Sequence, residues 1–115
     1  MATTSGKVIW VEPNVAVQTW LAIPNGNDGL PFASGRMADK CVQILGTFGA
    51  GGSVLIEGSN DGGTTWFTLN GVTKGALVYT AAGGDQIIEN PLMVRPRVTA
   101  GDVTTAITVI IASRS

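Results

Sequence analysis

The chain has 115 residues, a formal net charge of −1 and only 13% charged residues, so it presents no basic field for nucleic acid or an anionic membrane. It has no histidine and a single cysteine, which removes imidazole acid–base and triad chemistry, histidine metal sites, thiolate zinc clusters and an intrachain disulfide. No apolar run approaches the ~20 residues that span a bilayer, and the first residues lack the charge order and apolar stretch of a signal peptide. The expectation is a soluble chain made in a reducing compartment, with no cofactor and no enzymatic activity. Val, Ile and Thr supply 34 of the 115 residues, with 16 Gly and 5 Pro, while Lys and Glu number three each. That balance favours strands and turns over helices.

In chain order, residues 1–7 are small and polar without periodicity and are expected to form a flexible arm. Val8–Val11 is a short apolar strand closed by Glu12-Pro13-Asn14. Val15–Ile23 alternates, with Val15, Val17, Thr19, Leu21 and Ile23 expected inward and Ala16, Gln18, Trp20 and Ala22 outward. Trp10 and Trp20 are either core residues or anchors of a subunit contact. The stretch 24–40 is rich in turn formers and exceeds the usual length of a structureless loop. A short strand around Phe32–Ala33 could be hidden in it.

Further strands are expected at Val42–Phe48, Val54–Gly58, Trp66–Leu69, Leu77–Thr80, Gln86–Glu89, Leu92–Val98 and Thr104–Ala112. Gly49–Gly52 and Ala100-Gly101-Asp102 read as hairpin turns. In the Leu92–Val98 strand, Leu92, Val94 and Val98 are expected inward, and Pro96 points to an edge or a bulge. Met93, Arg95 and Arg97 share the outward face, either a solvated surface or a partner contact. Eight or nine short strands separated by regular turns define a single all-β domain over 8–115, a β-sandwich or jelly roll with antiparallel strands. Its core is expected to include Val17, Leu21, Val42, Ile44, Val54, Ile56, Val94, Ile107 and Val109. Cys41 is expected to be a small buried hydrophobe. Asp28, Asp61, Asp85 and Asp102 each adjoin glycine and are read as solvated turn residues rather than a catalytic pair.

Ser59-Asn60-Asp61-Gly62-Gly63-Thr64-Thr65-Trp66 fits the pattern Ser-x-Asp-x-Gly-x-Thr-Trp at each fixed position. It resembles the Asp-box of sialidases and related β-propellers, where the box is a hairpin turn away from the catalytic centre. Here it occurs once, in a chain too short for a propeller. Ser59, Asp61, Gly63, Thr65 and Trp66 are therefore expected to build a structural hairpin, with the Asp side chain accepting backbone N–H groups.

Val42-Gln43-Ile44-Leu45-Gly46-Thr47-Phe48 leads through a Gly-rich turn into Ser53-Val54-Leu55-Ile56-Glu57-Gly58. The Asp-box hairpin follows, and Arg95-Pro96-Arg97-Val98-Thr99-Ala100-Gly101-Asp102 precedes the last Ile/Val strand. Over about residues 41 to 112 this order resembles small β-sandwich structural proteins of tailed bacteriophages, most of all capsid decoration (cement) proteins. The resemblance implies a virion protein, made in the host cytoplasm, that binds the outer capsid surface and holds major capsid subunits together. It further implies a homotrimer, with neither nucleic acid nor membrane as partner. Leu30, Pro31, Phe32, Arg36 and Met37 in the long loop, with Met93, Arg95 and Arg97, are the expected partner-binding residues. The competing expectation for the loop is that Phe32 lids one end of the core. The alternative function is a carbohydrate-binding module of a tail fibre or baseplate, which needs an exposed row of aromatics.

Overall fold

The computed structural model describes residues 2–115, and every regular element among them is a strand. In chain order these are β1 (Thr3–Thr4), β2 (Gly6–Glu12), β3 (Val15–Ile23), β4 (Asp28–Gly29), β5 (Phe32–Ala33), β6 (Asp39–Thr47) and β7 (Ser53–Ser59). There follow β8 (Phe67–Thr68), β9 (Asn70–Gly71), β10 (Gly75–Ala76), β11 (Val78–Tyr79), β12 (Gly83–Ile87), β13 (Met93–Ala100) and β14 (Ala106–Arg114). One sheet runs β1-β4-β13-β7-β11, with β5 also on β13 and β8 also on β7. The other runs β10-β9-β12-β6-β14-β3-β2. All pairings are antiparallel except β1 with β4. The fold is an all-β, jelly-roll-like sandwich.

The two sheets close on one apolar layer. Val54, Ile56, Val94 and Val98 of the first sheet meet Trp20, Ile23, Val42, Ile44, Ile107, Val109 and Ile111 of the second, with Leu69, Leu77, Tyr79 and Ile87 completing the cluster. Burial of each such aliphatic side chain favours the folded state by roughly 1.5–3 kcal/mol. Seven of the nine core residues expected from the alternation are in this layer. Val17 is half-buried and Leu21 is 71% exposed.

The reason lies in β3. Ala16, Gln18 and Trp20 face the core, and a bulge then inserts one extra residue. Trp20 pairs with Val109 and Ile23 with Ile107, leaving Leu21 and Ala22 opposite Thr108 alone. Ala22 has φ 54 and donates its N–H to Thr108 Oγ1 at 3.1 Å. The bulge returns Ile23 to the core. A strict period of two cannot register that extra residue. Burying the indole of Trp20 also outweighs burying β-branched residues, which sit comfortably on an outward pleat.

Residues 3–4 and 6–7 are paired rather than forming a loose arm. Thr3 and Thr4 pair with Asp28 and Gly29, and β2 begins at Gly6. These are backbone pairings, which leave no hydrophobic signature; Met1 lies outside the described residues. The strand around Phe32 is present, pairing Phe32 with Val94 and Ala33 with Met93.

The two expected hairpin turns at 49–52 and 100–102 instead carry the chain from one sheet to the other, because β6 and β7, and likewise β13 and β14, lie in different sheets. Turn formers specify a reversal but not the layer in which it ends. Gly83, Gly84 and Asp85, which precede the strand expected at Gln86–Glu89, are themselves in β12, paired with Ile44, Gln43 and Val42. In β13, Leu92 falls just outside the strand and is exposed, and Pro96 takes an inward position between Val94 and Val98. Val98 donates to Asn27 on the β4 side. By strand alternation the missing Pro96 N–H falls on that same side, between β5 and β4, where the ladder is interrupted.

Candidate functional site

The Asp-box segment is a hairpin that joins β7 to β8, with Gly58 opposite Phe67 and Glu57 opposite Thr68. Asp61 Oδ1 accepts from the N–H groups of Thr65 (2.9 Å) and Thr64 (3.1 Å) and from Ser59 Oγ (2.8 Å). Ser59 Oγ in turn accepts from Gly63 N at 3.0 Å. Gly63 has φ 91, a conformation that favours glycine, and Trp66 Nε1 closes the turn on Gly63 O at 3.0 Å.

The backbone N–H of Thr65, with the hydroxyl of Ser59, holds the Asp61 carboxyl at about 2. Asp102 is likewise held at about 2, first by the Thr104 hydroxyl and then by the Ala50 N–H, so it ties the two inter-sheet crossings together. Depressed carboxylate pKa values mean stability that is complete above the unfolded value near 4 and lost as pH falls through about 2. Thermal melts should therefore fall between pH 4 and pH 2, and Asp61→Asn with Asp102→Asn should flatten that dependence. An unchanged profile in the double variant would show that these turns do not govern acid stability.

Under the hairpin lies a clasp of four charges on the outer face of the first sheet. Arg95 donates from Nε to Glu57 Oε1 at 2.7 Å and from Nη1 to Asp28 Oδ2 at 2.8 Å. Arg97 Nε reaches the same Glu57 oxygen at 3.2 Å. The Arg95 guanidinium also stacks on the Trp66 ring, 4.1 Å from its centroid. Thr3 Oγ1 donates to Asp28 Oδ1 at 2.7 Å, which joins the N-terminal strand to the same group. Asp28 is therefore a buried ion-pair partner rather than a solvated turn residue. Arg95 and Arg97 spend their charge inside the chain. Sequence alternation finds the face these arginines occupy but not the carboxylates, which come from 38 to 67 residues away.

The long-loop residues separate. Met37 is buried, and Phe32 packs against the core, as the core-lid reading of the loop expects. Pro31 is half-buried, while Leu30 and Arg36 are exposed, with Arg36 standing 4.8 Å over the Trp10 ring. Beneath Met37, Lys40 is buried and donates its ammonium to Met37 O and Asn90 Oδ1. Burial pushes its pKa down, with nearby Asp39 acting in the opposite sense. Nothing in the local sequence marks this lysine as buried. Cys41, expected inside, is exposed because β6 turns Lys40, Val42 and Ile44 inward instead.

The outer face of the second sheet contrasts with the clasp. Across paired strands it presents Ile9, Val17, Ala112, Cys41 and Gln86 in one row and Thr19, Ile110, Gln43 and Gly84 in the next. Leu45 and Thr108 follow. Charges stand only at its margins: Lys7 and Glu12 on β2, and Asp39 opposite Arg114. A shallow hollow of about 580 Å³ runs along β6 and the β12 turn, bordered by Cys41, Gln43, Leu45 and Gly84. Sequence alternation did not single out this face, since its residues come from five strands and none is unusual alone.

The interior is filled by aliphatic and aromatic side chains, and among the described residues no three His, Cys, Asp or Glu side chains gather as a metal-binding group. No helix among them is long and apolar enough to cross a membrane.

The architecture is similar in fold to cupin and jelly-roll-like β-sandwiches. The SPBc2 prophage-derived protein YomS superposes with a TM-score of 0.64 at 16% identity, over 93% of this chain and 100% of that one. A cupin domain from Bordetella pertussis gives 0.54 at 16% identity, over 99% and 96%. An RmlC-like cupin family protein with a double-stranded β-helix fold, from Methanocaldococcus jannaschii, gives 0.50 at 10% identity, over 99% and 83%. No family model and no curated protein matches the chain. At these identities the likeness is one of fold.

Proposed function

We propose that this chain is a bacteriophage virion protein that decorates the outer capsid surface and holds neighbouring major capsid subunits together. It works by burying surface, many copies at once, and carries out no reaction. The observation that carries this reading is the broad outer face of the second sheet, whose charges stand only at its margins, so that docking its middle avoids the desolvation cost that buried charges impose. The sequence resemblance to decoration proteins and the fold shared with a prophage-derived protein support it. The clasp side, already occupied by its own ion pairs and hairpin, faces outward.

The carbohydrate-binding alternative needs aromatics aligned on one surface. The exposed Trp10 and Phe67 stand on different sheets, on β2 and β8.

Gln43 and Leu45 are both solvent-facing, so Gln43→Glu with Leu45→Glu should leave the melting temperature nearly unchanged. Particle occupancy should fall by roughly tenfold or more, because two carboxylates would have to be desolvated on docking. Full occupancy by this variant, measured by quantitative gel of purified particles, would rule the face out.

A further inference from the structure

We infer that β2 is an assembly edge that pairs with the β2 of a second copy, antiparallel and about a two-fold axis, extending the second sheet across both molecules. This goes beyond the decoration reading and does not depend on it. Among the described residues, β1, β5, β8, β10 and β11 at the sheet margins are two residues long each, whereas β2 runs for seven and pairs on one side only, with β3. Its Ile9 is 53% exposed, Trp10 49% and Val11 62%. Proteins ordinarily shorten, charge or cover such an edge, because its free N–H and C=O groups accept another strand. Here residues 8–11 carry no charge and no proline, and the one irregularity, a bulge between Trp10 and Glu12, returns Glu12 to the face that Lys7 occupies.

The charges at its ends select the partner. Lys7 pairs with Thr19 and Glu12 with Val15, so both lie on the outer face of the sheet, at opposite ends of the strand. Among the described residues neither forms an ion pair within its own chain. An antiparallel second copy sets the Lys7 end of each strand beside the Glu12 end of the other, twice per dimer, while a parallel copy would set like against like. Identical edges meeting in this way close on two copies. The symmetry differs from the ring of three expected from the sequence.

The test is the mass of the full chain by sedimentation, for the unaltered protein, Lys7→Glu, Glu12→Lys and the double exchange. The unaltered protein should dimerise. Each single variant places like charges together at both ends and should dissociate about tenfold more readily or worse. The double exchange restores opposite pairs and should dimerise again. An equimolar mixture of the two single variants should form the mixed dimer. Monomers throughout, or trimers indifferent to these exchanges, would overturn the inference. Loss of particle decoration by the Gln43/Leu45 variant alone would leave it standing.

Discussion

Glu57→Ala should lower the unfolding free energy by about 3–5 kcal/mol, the scale for removing one partner of a buried ion pair. Glu57 is 3% exposed and receives both Arg95 and Arg97. Truncating it leaves two guanidinium groups facing the single carboxylate of Asp28. Arg97 is about a third exposed and can turn to water, so the lower end of the range applies if it does. Glu57→Gln keeps an acceptor and should fall between. Exchanging Arg95 and Glu57 together for Met and Leu should cost no less than Glu57→Ala, because Asp28 and Arg97 then both lose their ion-pair partners. Urea titration at pH 7 measures all three. A loss below about 1 kcal/mol for Glu57→Ala would mean that the clasp behaves as an ordinary surface ion pair.

Trp20→Ala should cost about 3–5 kcal/mol by cavity formation, and its effect should spread beyond the core. The indole is fully buried and donates from Nε1 to Leu30 O at 3.0 Å. The loop lies tightly over it: a Cβ on Gly29 would sit 2.6 Å from Pro96 Cδ and 2.7 Å from Trp20 Cδ1. The 24–38 segment therefore rests on this side chain, and limited proteolysis should cut it first in the variant. Trp20→Phe retains most of the packing and loses the bond, worth about 1 kcal/mol. Equal protease resistance of the Trp20→Ala loop would show that β4 and β5 hold it without the indole.

The sequence made some levels of this structure legible and concealed others. The strand content, the sandwich class and the hairpin at Ser59–Trp66 were legible, because periodicity, turn chemistry and the Asp-box spacing are all local. Seven aliphatic core positions were legible for the same reason. The inward face of β3 was not, since the bulge at Ala22 and the burial of Trp20 are settled by the opposite sheet. Neither were the partners of Arg95, because Asp28 and Glu57 reach it through β4 and β7. The pairing of Thr3 and Thr4 involves backbone groups that any residue carries. The apolar residues of the loop are legible in the sequence, but that Met37 and Phe32 serve the core is settled by the sheets they pack on. The outer face of the second sheet becomes visible only once five strands are laid side by side.

Attachment through that face is most directly tested by electron cryo-microscopy of phage particles carrying this chain, at a resolution that traces strands. The account predicts density for the sandwich on the outer capsid surface, with Gln43, Leu45 and Ile110 against the shell and the Arg95–Glu57 clasp facing solvent. A sandwich docked through the clasp, or a capsid surface bare of this chain, would contradict it.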